Sequence, residues 1–295
     1  MKKLIVLFSA LIFFLSEVSI FAQSIAKTTF KLGNVVVTAK KEEKGTLENK
    51  SEIESKTLKT HKIVDLAEIL SDEMVEVTMI RKSAYGNEVA LRGFGKSNLR
   101  FFEDGTIVEG ACGSRKDPSF SHIGLLNVGR IEVTEGPFDV TRTGALGGSI
   151  NVITKKPQKG FHGETLEKMG SYDYWSTGGY FTGGNKQIQG LLGYNYSESG
   201  QYEDGAGNKL SSFNSYNAEG KNMKAFKKHD VWGKVQFKPA DNQTFLLSHT
   251  YGNAENIMTP RAGMDIESEK TNLSQAKYTI MDLGDISDKL TLSFY

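Results

Sequence analysis

Cysteine is almost absent from this chain: Cys112 is its one thiol, so no internal disulfide can form. Proline is scarce as well, with 5 residues against 31 glycines, a balance that suits many strands and turns rather than a proline-rich disordered chain. Long apolar runs are lacking. The longest, residues 4–15, falls short of the roughly 20 residues that a membrane-spanning helix needs, so residence in a bilayer would require a closed β-barrel. Charge of one sign is lacking too. Without its first 22 residues the chain carries 34 Lys+Arg (36 less Lys2 and Lys3) and 34 Asp+Glu (35 less Glu17). That neutrality excludes the basic face of a nucleic-acid binder. The five histidines show no metal-ligand spacing, Gly93-Phe94-Gly95 lacks the strand-to-helix context of a phosphate loop, and no catalytic constellation is visible, so no enzyme is expected.

What is present begins with a secretory signal. Lys2 and Lys3 precede the apolar run, and cleavage is expected after Ala22; an uncleaved anchor is the alternative. Residues 23–45 form a polar leader holding one β-prone patch, Val35-Val36-Val37-Thr38-Ala39. Residues 41–60 are charged and poorly patterned and read as a linker with some local structure. Residues 61–70 fit one or two amphipathic helical turns, closed by Ser71-Asp72. Short strands are expected at 75–81, 89–94, 99–104, 106–108, 130–134 and 149–154, around turns at 85–87, Asp104-Gly105 and a glycine-dense segment holding Gly144, Gly147 and Gly148. This makes a small α/β domain over 46–158.

After Pro157 the texture changes. In 187–196, Ile188, Gly190, Leu192, Tyr194 and Tyr196 share one face, and Gln187, Gln189, Leu191, Gly193 and Asn195 share the other. Such alternation suits barrel strands, apolar toward lipid and polar toward the lumen, although a soluble β-sandwich would alternate too. Segments 175–183, 231–238, 245–251 and 290–295 are similar, with 197–228 as a long polar loop. Tyr172, Tyr174, Trp175, Tyr194, Tyr196, Trp232 and Tyr251 are expected in interfacial girdles.

Three motifs carry a resemblance. Residues 128–157 read Val-Gly-Arg-Ile-Glu-Val-Thr-Glu-Gly-Pro, a polar turn, then Gly-Ala-Leu-Gly-Gly-Ser-Ile-Asn-Val-Ile-Thr-Lys-Lys-Pro; upstream lie Val-Ala-Leu-Arg-Gly-Phe-Gly and Phe-Phe-Glu-Asp-Gly. Together they resemble the plug domain of TonB-dependent outer-membrane receptors. The resemblance implies a small α/β plug inside a transmembrane antiparallel β-barrel. The barrel part is expected over 159–295; residues 161–295 have room for 5 or 6 of the barrel's roughly 22 strands, so the chain is expected to be the N-terminal part of a longer protein or a truncated gene product. It also implies a partner, the periplasmic protein TonB, pairing with Val35, Val36, Val37, Thr38 and Ala39 as a TonB box; an ordinary first strand is the alternative. Arg92 and Arg130, with Glu132 and Glu135, are the implied plug latch, the alternative being pairing within the plug sheet. The loop from Gly110 to Pro118 resembles that of copper receptors, which makes Cys112, Arg115 and Asp117 ligand-loop residues and Cys112 a candidate metal ligand. Lys116 stands where that branch has a methionine; His122, Met258 and Met264 could substitute only if folding brings them near. The expected activity is energised uptake of a scarce metal complex, an iron–siderophore type ligand first and copper second. A non-transporting surface protein is a further alternative, and a sensing domain ahead of residue 33 is not expected. No resident cofactor is implied beyond the metal or chelate that is cargo.

Overall fold

The computed structural model describes residues 50–60, 65–83, 85–95, 98–112, 117–136, 144–212, 220, 222–259, 265–284 and 287–295. The expected signal peptide, the leader with Val35–Ala39, Arg115 and Met264 lie outside them.

The first part is built on a five-stranded sheet in the order β1 (Lys50–Glu54), β6 (Val128–Glu135), β7 (Gly148–Thr154), β4 (Leu99–Glu103), β5 (Thr106–Ile107). Strands β4 and β7 run parallel at its centre; the other neighbours are antiparallel. A separate hairpin pairs β2 (Val77–Ile80) with β3 (Glu88–Leu91). A short helix α1 (Ser55–Thr60) follows β1, and α2 (Leu66–Glu73) buries Leu66, Ala67, Ile69 and Leu70 in the core shared with Ile131, Val133, Ile150 and Val152. Asp65 caps α2 by accepting from the Ala67 N–H at 2.8 Å and from Asn87 Nδ2 at 2.6 Å, which ties the helix to the β2–β3 turn. Burial pushes the Asp65 carboxyl up to about 6.

Two details differ from the sequence reading. The segment read as a linker contains β1 and α1, because Ile53 and Leu58 find the core although their neighbours are charged. The helix runs on past Ser71-Asp72 to Glu73. The glycine-dense turn behaves as expected at Gly147, where a Cβ would sit 2.2 Å from that of Phe94.

The second part is a seven-stranded antiparallel sheet in chain order: β8 (His162–Gly170), β9 (Tyr174–Gly184), β10 (Ile188–Ser199), β11 (Phe226–Phe237), β12 (Gln243–Ile257), β13 (Ile266–Met281) and β14 (Lys289–Phe294). Seven strands exceed the five or six expected; β8 and β13 escaped the pattern search. Strictly paired registers fix which residues share a face. Ile188, Leu192, Tyr194, Val231, Val235, Phe237, Leu247 and Leu292 face outward and are exposed, whereas Gln189 and Leu191 face inward and are buried, as the alternation predicts. From Ile188 to Tyr196 the outward face spans about 26 Å of strand, or ~20 Å of height at a typical barrel tilt, close to the apolar band of membrane barrels.

Aromatic residues mark both margins of that band. Phe237, Phe245 and Tyr278 stack near the short turns at 185–187, 238–242 and 282–288, with centroids 6.5 and 4.1 Å apart. Trp175, Tyr196 and His229 cluster toward the end that carries the long connection 200–225. Trp232 and Tyr174 do not belong to the girdles. Their registers turn them inward: Trp232 is 1% exposed against Leu126 and Leu191, and Tyr174 packs beside Phe226 and Ile257. They are lumen residues that reach the first domain.

Candidate functional site: the plug loop and its seat in the wall

The loop that starts at Gly110 is closed by Asp117. Its buried carboxylate accepts from the Ala111 N–H at 2.5 Å and from the Cys112 N–H at 3.2 Å to each oxygen. Asp117 therefore shapes the loop, and its oxygens are already engaged. Cys112 is partly exposed and lines a cavity of about 290 Å³ with Arg100, Glu109, Phe101 and Phe120; Arg100 pairs with Glu109 at 2.5 Å. A thiol here could serve as one soft ligand. Among the described residues no group of three His, Cys, Asp or Glu side chains is placed to hold a metal ion.

His122 looks the other way. Its Nδ1 lies 2.7 Å from Thr271 Oγ1 and 3.2 Å from Glu269 Oε1, both on β13. Burial, aided by the ammonium of Lys228, pushes the imidazole down to about 4, so it is neutral near pH 7. Met258 is buried just past the end of β12, its N–H donating to the Ala225 carbonyl at 2.9 Å.

The two motif arginines pair within their own domain. Arg92 sits at positive φ in a tight turn and donates to Glu135 at 3.0 Å, with its side chain 54% exposed. Arg130 meets Glu132 at 2.6 Å and Glu52 at 3.2 Å. Glu132 also accepts from Asn151 Nδ2 at 3.2 Å.

The contacts between the first domain and the inward face of the sheet come from residues the sequence reading did not single out. At the β4–β5 turn, Asp104 Oδ2 accepts from Lys234 Nζ of β11 at 3.0 Å and Oδ1 from the Thr154 N–H at 3.0 Å. The Asp104 carbonyl accepts from Lys277 Nζ of β13 at 2.9 Å, and Gln275 donates to Thr106 Oγ1 at 2.6 Å. Next to this turn, Glu103 is buried and accepts from Thr250 at 3.4 Å; burial first, then the neighbouring Asp104, pushes its carboxyl up to about 7. Nearer the other end, Lys228 Nζ donates to the Ser121 carbonyl at 2.7 Å and pairs with the buried Asp230 at 3.0 Å, while Tyr85 donates to Glu269 at 2.9 Å. Among the described residues apolar contact gathers in two small patches, Leu126 with Leu191 and Trp232, and Tyr85 with Phe226 and Ile257. The available signal was the set of lysines at inward positions of alternating strands, Lys228, Lys234 and Lys277.

Residues 42–149 match the family model described as the TonB-dependent Receptor Plug Domain. No curated protein sequence matches the chain. Among solved structures, the copper transporter OprC is similar over 83% of this chain and 36% of its own, at 22% identity and TM-score 0.71. The FrpB iron transporter from Neisseria meningitidis (F3-3 variant) covers 84% and 40%, at 16% identity and TM-score 0.66. The siderophore receptor PirA from Acinetobacter baumannii covers 82% and 43%, at 19% identity and TM-score 0.54. The chain thus spans about two fifths of the length of these structures or less. Residues 42–149 match a plug domain, and the seven strands that follow match part of the barrels of these structures.

Proposed function

We propose that the chain is the plug and the first wall strands of a transporter that takes up a scarce metal complex across the outer membrane, with the plug as a releasable stopper. The observation that carries this reading is the chemistry of the plug–wall contact. Permanent domain interfaces are large and apolar. Here the plug touches the wall through carboxylates, ammonium groups, hydroxyls and carbonyls, with two small apolar patches. Water can replace such contacts when the plug moves.

In this reading the short turns face the periplasm and the 200–225 connection faces outside, the usual arrangement in bacterial barrels. Cargo reaches the loop that carries Cys112 and Asp117. The leader then offers Val35, Val36, Val37, Thr38 and Ala39 to TonB as an added strand, and main-chain hydrogen bonds transmit the pull that the inner-membrane proton gradient drives. An iron chelate of siderophore type is the first cargo. Copper is the second, favoured by the partly exposed Cys112 on its cavity and by the likeness to a copper transporter.

The test is Val36→Pro in the full-length receptor. Proline removes a main-chain donor from the segment that must pair. Energised uptake should collapse while cargo still binds at the cell surface; unchanged uptake overturns the mechanism.

A further inference from the structure

The β4–β5 turn of the plug is held from two sides. On the plug side, the Asp104 N–H donates to the Val152 carbonyl at 2.9 Å, the Gly105 N–H donates to Asn151 Oδ1 at 3.1 Å, and the Asp104 carboxylate takes the Thr154 N–H. On the wall side, Lys234 reaches the same carboxylate and the hydroxyl of Thr154, while Lys277 reaches the Asp104 carbonyl. The Lys234 side chain is 2% exposed and that of Asp104 13%. The two lysines stand on β11 and β13, on either side of β12, which supplies Thr250 to Glu103. One turn of the plug therefore spans three wall strands.

We propose that this clamp, Asp104 gripped by Lys234 and Lys277, is an electrostatic catch that helps retain the plug, with the carboxylate on the plug and the cations on the wall. Within the described residues Arg92 and Arg130 engage Glu135, Glu132 and Glu52 of their own domain, so this catch is separate from the motif arginines. The geometry suits a brittle catch. A desolvated pair resists being opened from one side, because each partner alone is left as a buried charge. Yet it acts over contact distance, so a displacement of a few ångströms admits water and ends the resistance. Asp104 is suited to its place twice over: its φ of +50° is tolerated by Asp, and the short side chain reaches both Thr154 and Lys234.

This inference rests on the reading of the plug as a releasable stopper, but its test needs neither cargo nor TonB, so the two can fail separately. The receptor is extracted from outer membranes in detergent, and the rate of proteolysis of the plug is followed at several urea concentrations. Asp104→Asn keeps the turn and removes the charge; Lys234→Gln removes its partner. Each should speed cleavage of the plug by about tenfold or more, while the double variant should fall well short of the product of the two, because no lone buried charge remains. Multiplying effects in the double variant, or no effect of either single variant, overturns the proposal. If a single variant does not assemble, the double variant and Lys277→Gln against the parent still decide it: the first should be retained nearly as well as the parent, the second less well.

Discussion

Replacing Gly193 with alanine should unseat the plug, although the residue never touches it. Gly193 of β10 lies opposite Trp232 of β11, and both face inward. The indole lies across Gly193 so closely that a Cβ there would stand 2.2 Å from Trp232 Cε2 and 2.3 Å from Cζ2. No adjustment of a few tenths of an ångström accommodates that. The ring must leave, and it is the ring on which Leu126 of the plug rests. Burying a leucine is worth about 1.5–3 kcal/mol, and losing its seat forfeits much of that. Gly193→Ala should therefore weaken plug retention by about 1–2.5 kcal/mol, or roughly 5- to 70-fold in the equilibrium for opening. The assay is protease protection of the plug against urea, read beside tryptophan fluorescence, with a Trp232→Phe variant subtracted to isolate the emission of that indole. Emission should move to longer wavelength as the indole is expelled. Trp232→Leu makes room, so the double variant Gly193→Ala/Trp232→Leu should be no worse than Trp232→Leu alone, a non-additivity that only direct contact produces. Unshifted emission with unchanged protection would refute the argument.

Plug retention should also respond to pH through two opposed groups. Glu103 is raised from 4.5 to about 7 in the seated plug, so ionising it costs retention as pH climbs through that window; His122 is lowered from 6.5 to about 4, so protonating it costs retention as pH falls from 6.5 to 4. Between about pH 4.5 and 6.5 the two effects oppose each other. Glu103→Gln should then unmask a retention that rises with pH, and His122→Gln one that falls, in the same protease assay; flat curves for both would sink the pairing. For the copper reading, Cys112→Ala should reduce Cu(I) binding by the purified full-length protein, and an unaltered affinity would reject that role.

Much of the fold was legible because membrane-facing strands obey two rules at once, alternation and an apolar outer face. Strand β10 satisfies both along most of its length, and its faces were read correctly before any register was known. Strand β13 satisfies them at one end alone. Ala276, Tyr278 and Ile280 face outward within the apolar band, but Ser268, Lys270 and Asn272 face outward beyond it, so the longest strand of the sheet reads as polar on both sides. Strand β8 fails for a similar reason, with Thr165 and Glu167 outward and Glu164 and Lys168 inward. Trp232 misled in the opposite direction. A tryptophan near a strand end fits a girdle by composition, and only its parity with Lys234, Lys228 and the opposing Gly193 turns it toward the lumen.

The plug's seat was hidden for a deeper reason. Periodicity tells which way a side chain faces, and motifs tell what a local turn can do, but neither pairs a turn with a strand 130 or 173 residues away, the separations of Asp104 from Lys234 and Lys277. Apolar contacts would have been easier to foresee, since any greasy inward residue can serve as partner for any other. A polar contact needs one donor opposite one acceptor at a fixed register, and that register is set by every hairpin in between. The property that conceals the seat from the sequence is the one that lets it open. An apolar seat would be tolerant of exchange and costly to wet, whereas a seat of matched charges is specific when dry and holds little once water enters. A plug that must block a pore and still yield to a pull needs the second kind, which is why substitutions at Lys234 and Lys277 should change how readily the plug lets go more than they change how the wall folds.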